Sequence, residues 1–155
     1  MNDGGDFLKD GYPLEAVLSL RRLERDERLQ DLQSAQAKAR DCRRDLDEAR
    51  MEEHRARSEV EDARRNRRLH ERRGVRAADL QARMRRVEAL ENELDDAVLR
   101  LDAARDAAGK AARAVEDARR RLAHAQADLR TVERHRDAWL EEARRDKERR
   151  AEEDP

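Results

Sequence analysis

Apolar residues recur along the second half of the chain with a spacing that alternates strictly between three and four. The positions are Val87, Leu90, Leu94, Ala97, Leu101, Ala104, Ala108, Ala111, Val115, Ala118, Leu122, Ala125, Leu129, Val132, Arg136, Trp139 and Ala143, and only Arg136 is not apolar. A mean spacing of about 3.5 residues is the seam of a coiled coil, narrower than the stripe of a helix that packs on a globular core. The first half repeats the pattern through Leu32, Ala35, Ala39, Cys42, Leu46, Ala49, Glu53, Ala56, Val60 and Ala63, with Glu53 as its one charged interruption. Between the stripes stands Gly74, a residue that can take the left-handed conformation ending a helix.

These patterns predict an all-α protein built as a long antiparallel two-helix coiled-coil hairpin with an alanine-rich seam. The expected organisation is a flexible N-terminal tail over 1–12, helix 1 over 13–73, a turn at 74–76, helix 2 over 77–150 and an acidic tail over 151–155. Pro13 suits a first helical turn, where its missing N–H costs nothing. At about 1.5 Å per residue helix 1 would run roughly 88 Å. Folding back at Gly74 pairs positions whose numbers sum to about 148, which sets Cys42 near Ala104–Asp106. Ala97, Ala104, Ala111, Ala118 and Ala125 stand seven apart, as do Ala35, Cys42, Ala49, Ala56 and Ala63. A small residue in every heptad lets two backbones approach closely. Parallel dimers favour larger aliphatics at both seam positions, so a monomeric hairpin is expected over a dimer of straight rods.

Composition removes the main alternative folds. Charged residues make up 48% of the 155 and aromatics 2%, too few large apolar groups for a packed layer fold. Disorder would not sustain heptads over this length. The net charge of −1 gives no global field toward nucleic acid or membrane. The charge is unevenly spread, however. Residues 64–86 carry ten arginines against Glu71 and Asp79, while 87–108 are acidic.

Chemistry-bearing groups are sparse. His54, His70, His124 and His135 lack the spacing of a metal site, and Cys42 has no second cysteine to pair with. No phosphate loop, dinucleotide fingerprint or nucleophile elbow occurs. Neither an enzyme nor a cofactor is expected. No apolar run reaches the roughly 18 residues of a membrane span, and the N-terminus lacks the features of a secretion signal. A cytoplasmic protein is expected, with no direct membrane insertion.

Function should therefore lie in what the surface and the ends touch. The arginine-rich turn fits a solvated tip, a surface that docks on an acidic protein, or a phosphate-backbone binder. The last would lack aromatic side chains to stack on bases. At the other end Tyr12, Pro13, Leu14, Val17, Leu18, Leu20 and Leu23 are larger than the seam alanines, and Trp139 and Leu140 lie opposite. They could cap the hairpin or shape that end to enter a partner.

The opening YPLEAVLSLRRLERDERLQDL and the closing WLEEARR with its charged tail resemble the YscO/FliJ family, the central stalk proteins of type III secretion and flagellar export. Length and hairpin layout match over nearly the whole chain. The sequence departs from the family in its arginine-rich turn and at Arg136–Asp137, where an aromatic is expected. The resemblance implies a non-enzymatic central stalk that inserts into the pore of the export ATPase hexamer through Tyr12, Leu14, Leu18, Arg21, Arg22 and Trp139. It further implies a tip whose Arg68, Arg72, Arg73 and Arg76 face the export gate protein, binding of secretion chaperones, and a place peripheral to the inner-membrane export apparatus. A flagellar export stalk and a generic coiled-coil spacer or scaffold are the alternatives, and nucleic acid is not an expected partner.

Overall fold

A computed structural model describes residues 11–153. Within it α1 spans Glu15–Arg72 and α2 spans Ala77–Glu153, packed against each other as a hairpin. No helix among the described residues is long and apolar enough to cross a membrane.

The helix ends follow from local chemistry. Pro13 has no N–H to give, and the Tyr12 carbonyl accepts from Glu15 N–H at 3.1 Å. The Leu14 carbonyl accepts from Leu18 N–H at 2.9 Å. The helix thus opens at Glu15, two residues later than expected. At the other end of α1, Gly74 has φ +67°. The last turn closes through Arg73 N–H to the His70 carbonyl and Gly74 N–H to the Glu71 carbonyl. A Cβ at Gly74 would meet nothing within 4 Å, so the demand for glycine there is conformational and not steric. Gly74→Ala is expected to cost about 1–2 kcal/mol, the penalty for a Cβ in the left-handed region, measurable by urea unfolding. The Arg76 carbonyl starts α2 by accepting from Asp79 and Leu80 N–H, both at 3.1 Å, and the Asp79 carboxylate complements the helix dipole.

Helix 1 also ends one residue earlier than expected, at Arg72, and two further expectations need correction. Residues 151–153, expected as part of an acidic tail, are helical, because Ala151, Glu152 and Glu153 are favourable helix formers that continue α2. Tyr12 was placed in the flexible N-terminal segment but is 8% exposed. The rest of that expected tail, 1–10, and residues 154–155 lie outside the described residues.

The chain forms two compact units, one from the N-terminal part of α1 to Ala35 with α2 from Val115, the other from Gln36 to Ala114. In the second, which contains the turn, Arg64 pairs with Glu91 at 2.6 Å, Arg100 with Glu52 at 3.4 Å, and Arg83 donates to Asn66 Oδ1 at 3.1 Å. In the first, Arg21 lies 3.6 Å from Asp128 and the Tyr12 ring packs on His135 and Trp139. Within each unit the paired numbers add to about 150, the antiparallel register of helices joined by a short turn.

Every seam position named from the spacing is buried or half-buried, from Leu32 to Ala63 on α1 and from Val87 to Ala143 on α2. The alanines are true core residues: Ala49, Ala97, Ala111, Ala118 and Ala125 are all buried. Cys42 is half-buried among them. The interruption at Glu53 is met within its own helix, where Arg57 Nε donates to Glu53 Oε1 at 2.8 Å. Most other ion pairs are exposed contacts of this three- or four-residue kind, such as Arg28–Asp31 and Arg119–Glu116. Each contributes only a few tenths of a kcal/mol; they solubilise the helices, while the seam holds them.

Candidate partner-binding surfaces

The first candidate surface lies in the unit that contains both chain ends. Tyr12 sits between His135 and Trp139, with ring centroids 5.7 and 5.8 Å away and tilts of 48° and 59°. Its hydroxyl is 2.8 Å from His135 Nδ1 and 3.5 Å from the Val132 carbonyl. Tilted aromatic pairs of this type add about 0.5–1.5 kcal/mol beyond area burial. Six residues further along, on the seam line of α1, Leu18 is 0% exposed. Tyr12, Leu18 and the half-buried Trp139 therefore brace this end from within. Their side chains offer a partner little area, which separates them from the other expected contact residues.

What this end does present is different. Leu14 and Val17 are partly exposed, and Leu20 and Leu23 are 54% and 56% exposed. Leu140 on α2 is exposed as well. Carrying the seam back from Leu32 in steps of four and three gives Arg28, Arg25, Arg21, Leu18 and Leu14. Leu20 and Leu23 fall off that line, so the same count that buries Leu18 leaves them on the outside. The heptad count is the signal in the sequence for Leu20 and Leu23, which are not among the expected contact residues.

Charge frames the apolar face. Arg21 Nη1 donates to Glu24 at 2.7 Å and faces Asp128. The hydrogen bond that Arg21 donates to Glu24 and the charge of that carboxylate raise the Arg21 pKa; desolvation opposes them, and the charge of Asp128 adds a smaller rise. Arg21 is thus occupied within the fold. Arg22 is exposed and has no carboxylate within ion-pair distance among the described residues. Of the six residues expected at the ATPase pore, Arg22 faces outward unpaired among the described residues, and Leu14, on the seam line, is 38% exposed.

The second candidate surface is the turn of the other unit. Arg68, Arg72, Arg73 and Arg76 are exposed there, brought together by the Gly74 reversal. None has a carboxylate partner among the described residues, nor do Arg85 and Arg86. Their neighbours are engaged: Arg64 with Glu91, Arg65 with Asp62, and Arg67 with Glu71 at 3.3 Å. Arg67 and Arg83 occupy seam positions, half-buried, with their Nε atoms shielded from water; that of Arg67 makes the ion pair to Glu71 without hydrogen-bond geometry, and that of Arg83 has no hydrogen-bond partner among the described residues.

No cluster of three or more metal-ligating side chains occurs among the described residues. His54 and His124 are exposed, while His70 Nδ1 lies 2.8 Å from the Asn66 carbonyl oxygen.

The fold matches that of a solved structure, CT670 of Chlamydia trachomatis, described as a YscO homolog. The two agree with a TM-score of 0.79 at 18% sequence identity, over 92% of this chain and 88% of the other. Among curated protein sequences none matches. The family model of YscO-like proteins matches residues 9–155, both candidate surfaces included. This chain belongs to the YscO-like family, the stalk-like proteins of type III secretion.

Proposed function

We propose that the protein is a non-enzymatic central stalk of a type III secretion system. It engages the export ATPase hexamer through the end carrying Leu14, Val17, Leu20, Leu23 and Arg22, and reaches the export gate with its arginine turn. It acts as a monomer at the cytoplasmic side of the inner-membrane export apparatus and also receives secretion chaperones. The observation that carries this reading is the pair of exposed leucines, Leu20 and Leu23, on the first turns of α1, beside an end already closed internally by Tyr12 and Trp139. Capping the hairpin consumes Tyr12 and Leu18; it gives no reason for large apolar side chains on the outside. A partner that covers them does.

Each leucine covered by a partner contributes about 1.5–3 kcal/mol. The double variant Leu20→Glu, Leu23→Glu is expected to weaken binding to the purified cognate ATPase more than tenfold and to remove any effect of the stalk on ATP hydrolysis. Its thermal unfolding should stay close to wild type, because both side chains lie outside the seam. Undiminished ATPase binding by this variant would defeat the assignment of this face.

A further inference from the structure

The turn unit has a charge arrangement that a stalk does not require merely to stay soluble. Residues 64–86 carry ten arginines and two acids, a local charge of +8. Immediately behind them both helices reverse sign. Residues 87–108 carry seven acids against Arg100 and Arg105, and residues 42–63 carry eight acids against five arginines. In the antiparallel register these two stretches lie beside each other, as the Glu52–Arg100 pair records. The unit is thus a basic head on an acidic shaft.

We propose that this head is a docking site for an acidic polypeptide segment, with Arg68, Arg72, Arg73, Arg76, Arg85 and Arg86 as its recognition groups. This rests on the reading that the tip meets a protein of the export gate and names the chemistry of that contact. Six exposed guanidinium groups have no carboxylate partner among the described residues, although such pairs are frequent along the rest of both helices. Each can take a carboxylate in two parallel hydrogen bonds. Leu69 and Met84 are exposed among them, giving apolar contact for the side chains that alternate with acids in such a segment.

The distribution favours a chain over the other polyanions. The six arginines run up both helices from the turn, so a flat lipid surface meeting the turn would reach only Arg72, Arg73 and Arg76. Residues 64–86 contain no Phe, Tyr or Trp, so bases of a nucleic acid would find no stacking platform. An extended acidic segment can follow both helices. The acidic shaft repels the same segment and confines it to the head, so charge sets position as well as attraction.

The test uses the full-length protein and a fluorescently labelled, glutamate-rich peptide of about a dozen residues, followed by anisotropy at about 50 and 150 mM salt. Arg68→Gln, Arg72→Gln, Arg73→Gln and Arg76→Gln together are expected to weaken binding at least tenfold. The control set Arg113→Gln, Arg121→Gln and Arg130→Gln, also exposed and unpaired, should change it less than about twofold, with helicity of both variants verified by circular dichroism. Equal losses in the two sets, or tighter binding to phosphatidylglycerol vesicles or duplex DNA than to the peptide, would overturn the proposal. A parallel capture of the purified gate protein separates the two readings. If the tip variant loses the peptide but keeps the gate, acidic recognition is wrong and the stalk assignment stands. If it binds the peptide through the head but wild type fails to capture the gate, the stalk assignment is what fails.

Discussion

Leu18→Ala should lower the unfolding free energy by about 2–4 kcal/mol, the largest effect expected of any single truncation in this chain. Among the described residues Leu18 and Val60 are the largest side chains that are fully buried. In a globular core the loss of one leucine is shared among many neighbours. Here a single partner helix faces each seam residue, and twelve of the 27 named seam positions are alanines, which have little side chain with which to collapse into the space. Leu18 also lies in the seam register next to the Tyr12 brace, so its loss loosens the packing that holds Tyr12 against His135 and Trp139. Urea unfolding followed by circular dichroism measures the change. Leu20→Ala, at a 54% exposed position, supplies the comparison and should fall within about 0.5 kcal/mol of wild type. Similar losses from both would mean that Leu18 is no more of an anchor than its exposed neighbour.

That pair of leucines also shows how far the sequence could be read. The coiled-coil seam was legible because a spacing of about 3.5 residues repeats over many turns, and repetition leaves one solution for which face is buried. Each seam position from Leu32 to Ala63 and from Val87 to Ala143 accordingly sits at the interface. The register was legible for a related reason: a short turn at Gly74 fixes which residues stand level. The ends were less so. Leu14, Val17, Leu18, Leu20 and Leu23 crowd one stretch, and density alone does not say which of them the partner helix covers. Tyr12 lies outside the heptads and is drawn inward by the aromatic and hydrogen-bonding groups of Trp139 and His135, which are more than a hundred residues away in the chain. Arg67 and Arg83 belong by composition to the arginine-rich turn segment, yet continuing the heptads past Ala63 and before Val87 carries both into the seam. Their aliphatic stems and Nε atoms are covered there, and Arg83 still donates from Nη1 to Asn66 Oδ1.

Ala97→Leu and Ala111→Leu should each destabilise the protein by about 1–3 kcal/mol, through overpacking. Both alanines are buried, Ala97 being 2% exposed, and each belongs to the series that recurs every seven residues along α2. A methyl group at every second seam position lets the two backbones come near the close end of the roughly 8–10 Å range for packed helices. An added isobutyl group has no pocket to enter. Because the helices are stiff, room can be made only by separating them over more than one turn, which strips contact from the neighbouring layers. For Ala97 those layers are Leu94 and Leu101, large side chains whose burial would be partly lost; for Ala111 they are Ala108 and Val115, with less to lose. The cost at Ala97 should therefore be the greater of the two. Ala107→Leu places the same side chain on the exposed face of the same helix and should leave stability within about 0.5 kcal/mol of wild type, leucine being nearly as good a helix former as alanine. Chemical denaturation of the three variants decides it. A stabilising Ala97→Leu would reveal spare volume between the helices, and a loss at Ala107 equal to that at Ala97 would mean the seam does not run where the alanine repeat puts it.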